Sequence, residues 1–103
     1  MIHINANRKD GKIVYLSVKG HAKYASKGED IVCAAISAIS IGGINALQNP
    51  KSFKLTVKEA DVEIEQIDVA KSDDYIVLET LLTQLKTVME AYPSRIKVIE
   101  KGN

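Results

Sequence analysis

A chain of 103 residues, 46% of them hydrophobic and 26% charged, has the composition of a soluble globular domain, which excludes intrinsically disordered and fibrous classes. The length predicts a single domain over residues 1–103 with one hydrophobic core. The 14 Lys and Arg residues are scattered and are nearly balanced by 13 Asp and Glu residues. Because no basic patch stands out, we expect no direct nucleic-acid binding.

The cysteine and histidine content limits the kinds of site that the chain can build. One cysteine excludes an internal disulfide, and with only two histidines it excludes the usual cysteine-rich zinc sites, so we expect no metal and no cofactor. This usage fits the reducing cytoplasm. The first eight residues do not resemble a signal peptide, and no window approaches a membrane span, so we expect no membrane partner.

The N-terminal third predicts a β-hairpin. Two strand-like runs, 2–8 and 12–19, are joined by a turn in which Asp10-Gly11 supplies the positive φ angles of a tight hairpin. In the second run one face is wholly apolar and the other partly so, which places this strand inside the sheet. The apolar face is formed by Val14, Leu16 and Val18. The strand ends at Gly20, and a polar loop over 21–29 follows.

The helix after this loop has two competing starts. Ser26 with Glu29 forms a capping-box pattern, whereas Asp30 can cap a helix that begins at Ile31. We favour Asp30, because the Ser26 start places Gly28 in the first turn and Cys33 two turns into the helix. The Asp30 start instead places Cys33 in the first turn. The small residues that follow, including Gly42-Gly43, indicate close packing against another element rather than a phosphate loop.

The second half of the chain predicts two strands, a helix and a last strand. Phe53–Lys58 and Val62–Glu65 alternate as strands with one solvated face, joined near Glu59-Ala60-Asp61. Ser72-Asp73-Asp74 supplies a cap and first-turn acids for the second helix, which Pro93 ends. Residues 95–100 form the last strand. The predicted fold is α+β: one two-layer domain, β-β-α-β-β-α-β, in which two helices pack on one face of a mixed sheet. The predicted apolar face of the second helix is Val77, Leu81, Leu85, Val88 and Tyr92, widened by Leu78, Leu82 and Met89.

Cys33 and His21 are the two side chains that thiol catalysis requires. The thiolate is the reactive form of cysteine, and the unsatisfied N–H groups at a helix N-terminus favour a negative charge there. An imidazole within hydrogen-bond reach can take the thiol proton, or stand beside the thiolate as its cation, and later protonate the leaving amine. The structural alternative is that Cys33 is a small buried residue and His21 a loop residue. For His3, in the first strand, we favour a structural role.

The motif around these two residues is similar to that of a known protease family. Gly20-His21-Ala22, followed by Gly28-Glu29-Asp30-Ile31-Val32-Cys33-Ala34-Ala35-Ile36-Ser37, closely resembles the signature of the ribosomal-processing cysteine protease family, Prp. Length and element order agree with that family across essentially the whole chain. Asn45 and Leu47 also match.

The resemblance implies an endopeptidase that removes a short N-terminal extension from large-subunit ribosomal protein twenty-seven, cutting after an aromatic pair and before a small residue. It places the nucleophile at Cys33 and the catalytic histidine at His21. Asp30 would cap the helix, orient His21, or do both. Ser37 would contact the sulfur or bond back to its helix. Gly20 and Gly28 would flank a loop that rearranges around the peptide, and the resemblance also implies a homodimer.

Two other functions stay open at the level of sequence. The chain can be a non-enzymatic ribosome-assembly or binding module, in which the small-residue helix forms a partner surface and Cys33 is inert. It can also be a hydrolase with the same Cys-His dyad that acts on another peptide. The reactivity of Cys33 separates the first of these from a protease.

Overall fold

The computed structural model describes residues 1–20 and 30–103, with Asp30 described by its backbone alone. The elements follow the predicted order, with one short 3₁₀ turn, Pro50–Ser52, that the sequence pattern did not predict. The strands are β1 (Ile2–Lys9), β2 (Lys12–Lys19), β3 (Phe53–Lys58), β4 (Asp61–Gln66) and β5 (Ile96–Gly102). The helices are α1 (Asp30–Ala46) and α2 (Ser72–Ala91).

The five strands form one sheet in the order β3-β4-β2-β1-β5. β1 and β5 are parallel, whereas the pairs β1–β2, β2–β4 and β3–β4 are antiparallel, so the sheet is mixed as predicted. β2 lies inside the sheet, between β4 and β1. The predicted hairpin turn is confirmed, because Asp10 and Gly11 have φ angles of 52° and 78°.

The core lies between one face of the sheet and the two helices, which confirms the two-layer α+β fold. The two hydrogen-bonded N-terminal strands contribute four deeply buried aliphatic side chains to the core, and α2 contributes a row of leucines. The strand residues are Ile2, Ile4, Ile13 and Leu16, and the α2 residues are Leu78, Leu81, Leu82 and Leu85. All eight are at most 2% exposed, so this layer excludes water and fixes the position of α1 above the sheet.

A β-bulge changes which residue of β2 enters the core. The register runs from Asn7 opposite Tyr15 to Arg8 opposite Ile13, so Val14 is an extra residue on its strand. Ile13 is therefore 1% exposed, whereas Val14 is only partly buried. The prediction that Val14 joins Leu16 and Val18 on the apolar face was wrong, because strict alternation does not anticipate a bulge.

The start of α2 also differs from the prediction. Ser72 is the first helical residue rather than the cap, and Lys71 stands at the N-cap position without a side-chain capping bond. Asp74 is fully buried and accepts backbone hydrogen bonds from Gln48 (2.6 Å) and Asn49 (2.9 Å). Its carboxylate therefore fastens the segment after α1 to the first turn of α2. At the C-terminal end of α2, Tyr92 is 37% exposed and lies outside the core, so its predicted place on the apolar face of the helix was wrong.

An ion cluster holds the middle part of α2 to the sheet. The Arg8 guanidinium contacts the carboxylates of Glu79 on α2 and Glu100 on β5, and Lys86 lies 2.5 Å from Glu100. The hydrogen bond from Lys86, and then that from Arg8, lower the pKa of Glu100 below its ordinary value. The cluster connects α2 to β1 and β5 at the end of the sheet away from Cys33.

The two glycines of α1 have different surroundings. A Cβ on Gly43 would lie 2.8 Å from Cγ of Leu81 and closer still to its Cδ1, whereas a Cβ on Gly42 would meet nothing within 4 Å. The packing interpretation of the pair is therefore confirmed at Gly43, where the absence of a side chain lets α1 approach α2. Gly42 faces open space.

Alanine substitutions at these glycines are expected to change stability in opposite directions. Gly42→Ala should raise the free energy of unfolding by about 0.5–1 kcal/mol, because alanine orders a helix at lower entropic cost. Gly43→Ala should lower it by about 1–3 kcal/mol, because the new methyl group must displace the buried Leu81. Urea unfolding of the two variants measures both effects. A gain in stability at both positions would contradict the packing role of Gly43.

Candidate active site

Cys33 lies in the first turn of the described part of α1. Helix α1 is described over Asp30–Ala46, and Cys33 is the fourth of these residues, so the choice between the two starts stays a prediction. The alternative start at Ser26 lies outside the described residues. Cys33 is a free thiol and is half-buried, so its sulfur is neither sealed in the core nor fully in solvent.

The thiol lines a cavity of about 290 Å³ between α1 and the sheet, which we call the thiol cavity. One wall is the row Cys33, Ser37 and Ile41, which are four residues apart and therefore lie on one side of the helix. The floor is made of apolar side chains, and the opposite wall is the turn that joins β3 to β4. The floor residues are Ile2, Val18, Ile36 and Val62, and the turn residues are Lys58, Glu59, Ala60 and Asp61.

Gly20 ends β2 at the edge of the same cavity, and its backbone is fixed from two sides. Its N–H donates a 3.0 Å hydrogen bond to the carbonyl of Ala60 in the β3–β4 turn. Its φ of 101° is unfavourable for residues with a side chain, and a Cβ there would overlap the carbonyl oxygen of Met1. The point at which the chain leaves β2, beside Cys33, is therefore fixed.

Charged and phenolic groups on the open face of the sheet reinforce this strand end. Lys19 Nζ lies 3.3 Å from Glu63 and 3.9 Å from Asp61, and the Tyr15 hydroxyl donates a 2.7 Å hydrogen bond to Glu63. The bond from Tyr15, followed by that from Lys19, lowers the pKa of Glu63. These contacts connect β2 to β4 along the residues that precede Gly20.

The structure brings together three of the six residues that the sequence singled out. Cys33, Ser37 and Gly20 all line the thiol cavity. His21 and Gly28 lie outside the described residues, as does the side chain of Asp30. Ser37 is exposed at the cavity rim, and the serine one turn further on, Ser40, is the one that bonds back to its helix, donating to the carbonyl of Ile36 at 2.7 Å.

The β3–β4 turn is the part of the site that the sequence analysis missed. Lys58–Asp61 lies more than twenty residues beyond Cys33 and carries no motif. It reaches the cavity because β4 pairs with β2, which sets Asp61 opposite Lys19, next to Gly20. The pairing of these two strands is the signal that would have found it, and a single sequence does not reveal it.

The described residues form neither a metal-binding cluster nor a membrane-spanning helix. Within residues 1–20 and 30–103, no group of three or more His, Cys, Asp and Glu side chains is arranged to hold a metal ion. Across those same residues, neither helix has the length and apolar character needed to cross a bilayer.

Solved structures of several bacterial proteins are similar to this one. A crystal structure of an essential ribosomal processing protease Prp from Staphylococcus aureus, with a covalently linked product peptide, superposes with a TM-score of 0.84 at 29% identity, covering 98% of this chain and 100% of the other. A second structure of the S. aureus protease holds a substrate peptide and has a TM-score of 0.82 at 28% identity. SMU.848 from Streptococcus mutans shares the fold, with a TM-score of 0.81 at 22% identity.

Sequence comparison finds relatives from the same protease family. A ribosomal processing cysteine protease Prp from Mycoplasma genitalium is 35% identical over 103 residues, which cover 99% of this chain and 98% of the relative. The S. aureus (strain Mu50) protein of the same name is 30% identical over 93 residues, or 86% and 88% of the two chains. The family model described as cysteine protease Prp matches residues 1–97. The family predicted from the motif around Cys33 is thus confirmed, and this chain belongs to the cysteine protease Prp family.

Proposed function

We propose that this cysteine protease removes the short N-terminal extension of large-subunit ribosomal protein twenty-seven, cutting after an aromatic pair. The observation that carries the proposal is the position of Cys33, which is half-buried and lines the thiol cavity between α1 and the sheet. Support for a peptide substrate comes from the S. aureus relative, whose structures hold a substrate peptide and a product peptide. Support for the ribosomal target comes from the names of the relatives.

In the proposed mechanism Cys33 is the nucleophile and His21 the acid and base. The Cys33 thiolate attacks the scissile carbonyl, and the tetrahedral intermediate collapses as the imidazolium of His21 protonates the leaving amine. The imidazole then removes a proton from water, which attacks the thioester and releases the new carboxyl end and the free thiol. Backbone N–H groups near Cys33 donate to the oxyanion in this proposal.

The other residues of the motif have supporting roles in this proposal. Asp30 caps α1 or orients His21, and the hydroxyl of Ser37 lies one turn beyond the thiol. Gly20, held by Ala60 and Met1, fixes the start of the segment that carries His21, and Gly28 is the hinge at its other end. We also propose that the chain works as a homodimer and contacts its ribosomal substrate through the peptide alone.

The experiment is cleavage of a peptide that copies the extension and the first residues of the mature ribosomal protein. We expect one cut, after the aromatic pair, when the products are mapped by mass spectrometry. The matched control is the same peptide with two alanines in place of the aromatic pair, which should stay intact. A cut elsewhere, or an intact peptide with a Cys33 that still alkylates, would show that the substrate is another peptide. An intact peptide with an inert thiol would favour the non-enzymatic binding module.

A further inference from the structure

The β3–β4 hairpin closes through a turn whose backbone is strained. The register sets Lys58 opposite Asp61, so the turn consists of Glu59 and Ala60 alone. Ala60 has a φ of 57°, which lies in the left-handed region that is unfavourable for residues with a Cβ atom. Hairpin turns normally place glycine, asparagine or aspartate in such conformations. A strained conformation persists only where surrounding contacts hold it, so a contact outside the turn has to fix Ala60.

The contact that holds this turn is a backbone hydrogen bond to the end of β2. The Gly20 N–H donates to the Ala60 carbonyl at 3.0 Å. The bond comes directly after the last β2–β4 pair, in which Lys19 lies opposite Asp61. The direction of a carbonyl depends on the backbone angles of its own residue, so if Ala60 left the left-handed region, its carbonyl would turn away from the Gly20 N–H. The strained conformation and the hydrogen bond thus depend on each other.

Gly20 leads from this hydrogen bond to the proposed acid and base. On its other side Gly20 lies against Met1, because a Cβ at its position would overlap the Met1 carbonyl oxygen. With its N–H bound to Ala60 and its backbone close to Met1, Gly20 is held in one position, and it lines the thiol cavity together with Cys33. The next residue in the chain is His21. A misplacement of about 1 Å in a catalytic group costs about a hundredfold in rate, so the position of Gly20 matters to the chemistry.

From these observations we propose that Ala60 is a positioning residue for His21. Its left-handed backbone aims the carbonyl at Gly20, and this bond sets the point beside Cys33 from which the chain continues to the imidazole. Ala60 acts through Gly20, so the role requires no contact between Ala60 and the substrate. The proposal rests on the proposed function in taking His21 as the acid and base, but it does not depend on the ribosomal substrate.

The test compares two substitutions of Ala60 that differ in how well they fit the left-handed region. Asparagine and threonine are uncharged side chains of similar size, but asparagine adopts this region readily, whereas a β-branched residue there is a clear outlier. Ala60→Thr should therefore break the bond to Gly20, and Ala60→Asn should keep it. NMR hydrogen exchange of the Gly20 N–H measures this directly. We expect exchange at least about tenfold faster in the threonine variant than in the wild type or the asparagine variant.

The functional measurement is the rate at which iodoacetamide alkylates Cys33 at neutral pH, a reaction in which the sulfur displaces iodide. An imidazolium beside the thiol favours the reactive thiolate. Ala60→Thr should slow alkylation by about fivefold or more, because the start of the segment that carries His21 is no longer held. Ala60→Asn should react at the wild-type rate, and His21→Ala gives the rate without the imidazole. Circular dichroism checks that each variant is folded.

The outcomes separate this proposal from the assignment of His21. Slow alkylation in the His21→Ala and Ala60→Thr variants, with a wild-type rate in Ala60→Asn, would support the positioning role. A loss in His21→Ala alone, or an equal loss in both Ala60 variants, would overturn that role and leave His21 as the acid and base. A wild-type rate in all three variants would overturn both assignments.

Two further measurements decide the matter if Ala60→Thr folds poorly. Ala60→Leu is unbranched at Cβ and should show the same effects to a smaller extent. Wild-type exchange and alkylation rates in this leucine variant would contradict the positioning role. In the wild type itself, a Gly20 N–H that exchanges as fast as in an unfolded peptide would overturn the proposal without any variant.

Discussion

Cys33→Ala is expected to abolish peptide cleavage, with a loss in kcat of at least about 10⁴-fold, because in the proposed mechanism the Cys33 sulfur forms the acyl-enzyme. The variant should keep its fold, since Cys33 is only half-buried and alanine is the best helix former. The measurement is the rate of product formation from the ribosomal peptide, followed by mass spectrometry. Circular dichroism and the thermal midpoint report whether the fold is retained.

Ser37→Ala is the matched control for this experiment. It removes one side-chain oxygen from the next position of the same helix row, at the rim of the same cavity. Removing a supporting side chain should reduce the cleavage rate far less than removing the nucleophile. The Ser37 variant should also keep a reactive thiol. Cleavage by the Cys33 variant at an appreciable fraction of the wild-type rate would disprove the assignment of the nucleophile.

The buried carboxylate of Asp74 predicts the largest effect on stability. Asp74→Ala should lower the free energy of unfolding by about 2–4 kcal/mol, because the backbone N–H groups of Gln48 and Asn49 would lose their charged acceptor inside the protein. Asp74→Asn keeps one oxygen and should fall between the wild type and the alanine variant. Urea denaturation, with the slope checked for two-state behaviour, measures these differences.

Asp73→Ala provides the control for the effect of charge alone. Asp73 precedes Asp74 in the same helical turn but is exposed, so it shares the helix-dipole contribution without the two backbone bonds. Its loss should cost less than about 1 kcal/mol. If both variants were destabilised equally, the effect would come from the helix dipole, and the connection between α1 and α2 through Asp74 would be of little energetic importance.

The predictions from sequence succeeded where the signal is local. The Asp10-Gly11 turn and most of the apolar face of the second helix depend on neighbouring residues, and the strands and α-helices were predicted in the right order. The motif around Cys33 identified the family for the same reason, because its residues are close together in the chain. Most boundaries were within two residues of those observed.

The failures occurred where strand pairing or the path of the chain, rather than the local residue pattern, decides the position of a side chain. The bulge that turns Val14 away from the core depends on how β1 pairs with β2, and the buried Asp74 depends on where the chain goes after α1. Both residues carry ordinary local patterns: an apolar position in an alternating strand and an acid in a first helical turn. The β3–β4 turn was missed as a wall of the thiol cavity because only the sheet order brings Ala60 to Gly20.

The parallel pairing of β1 with β5 links the formation of the thiol cavity to the synthesis of the last strand. Ile2 lies in the floor of the thiol cavity, and its N–H donates to the carbonyl of Arg95, immediately before β5. Ile2 is also paired with Ile96, 94 positions away, so this contact closes nearly the whole chain and is costly to form early in folding. During translation the residues around Cys33 are therefore complete long before the floor beneath them is fixed. We expect the nascent chain to gain a shaped cleft only after β5 has left the ribosome.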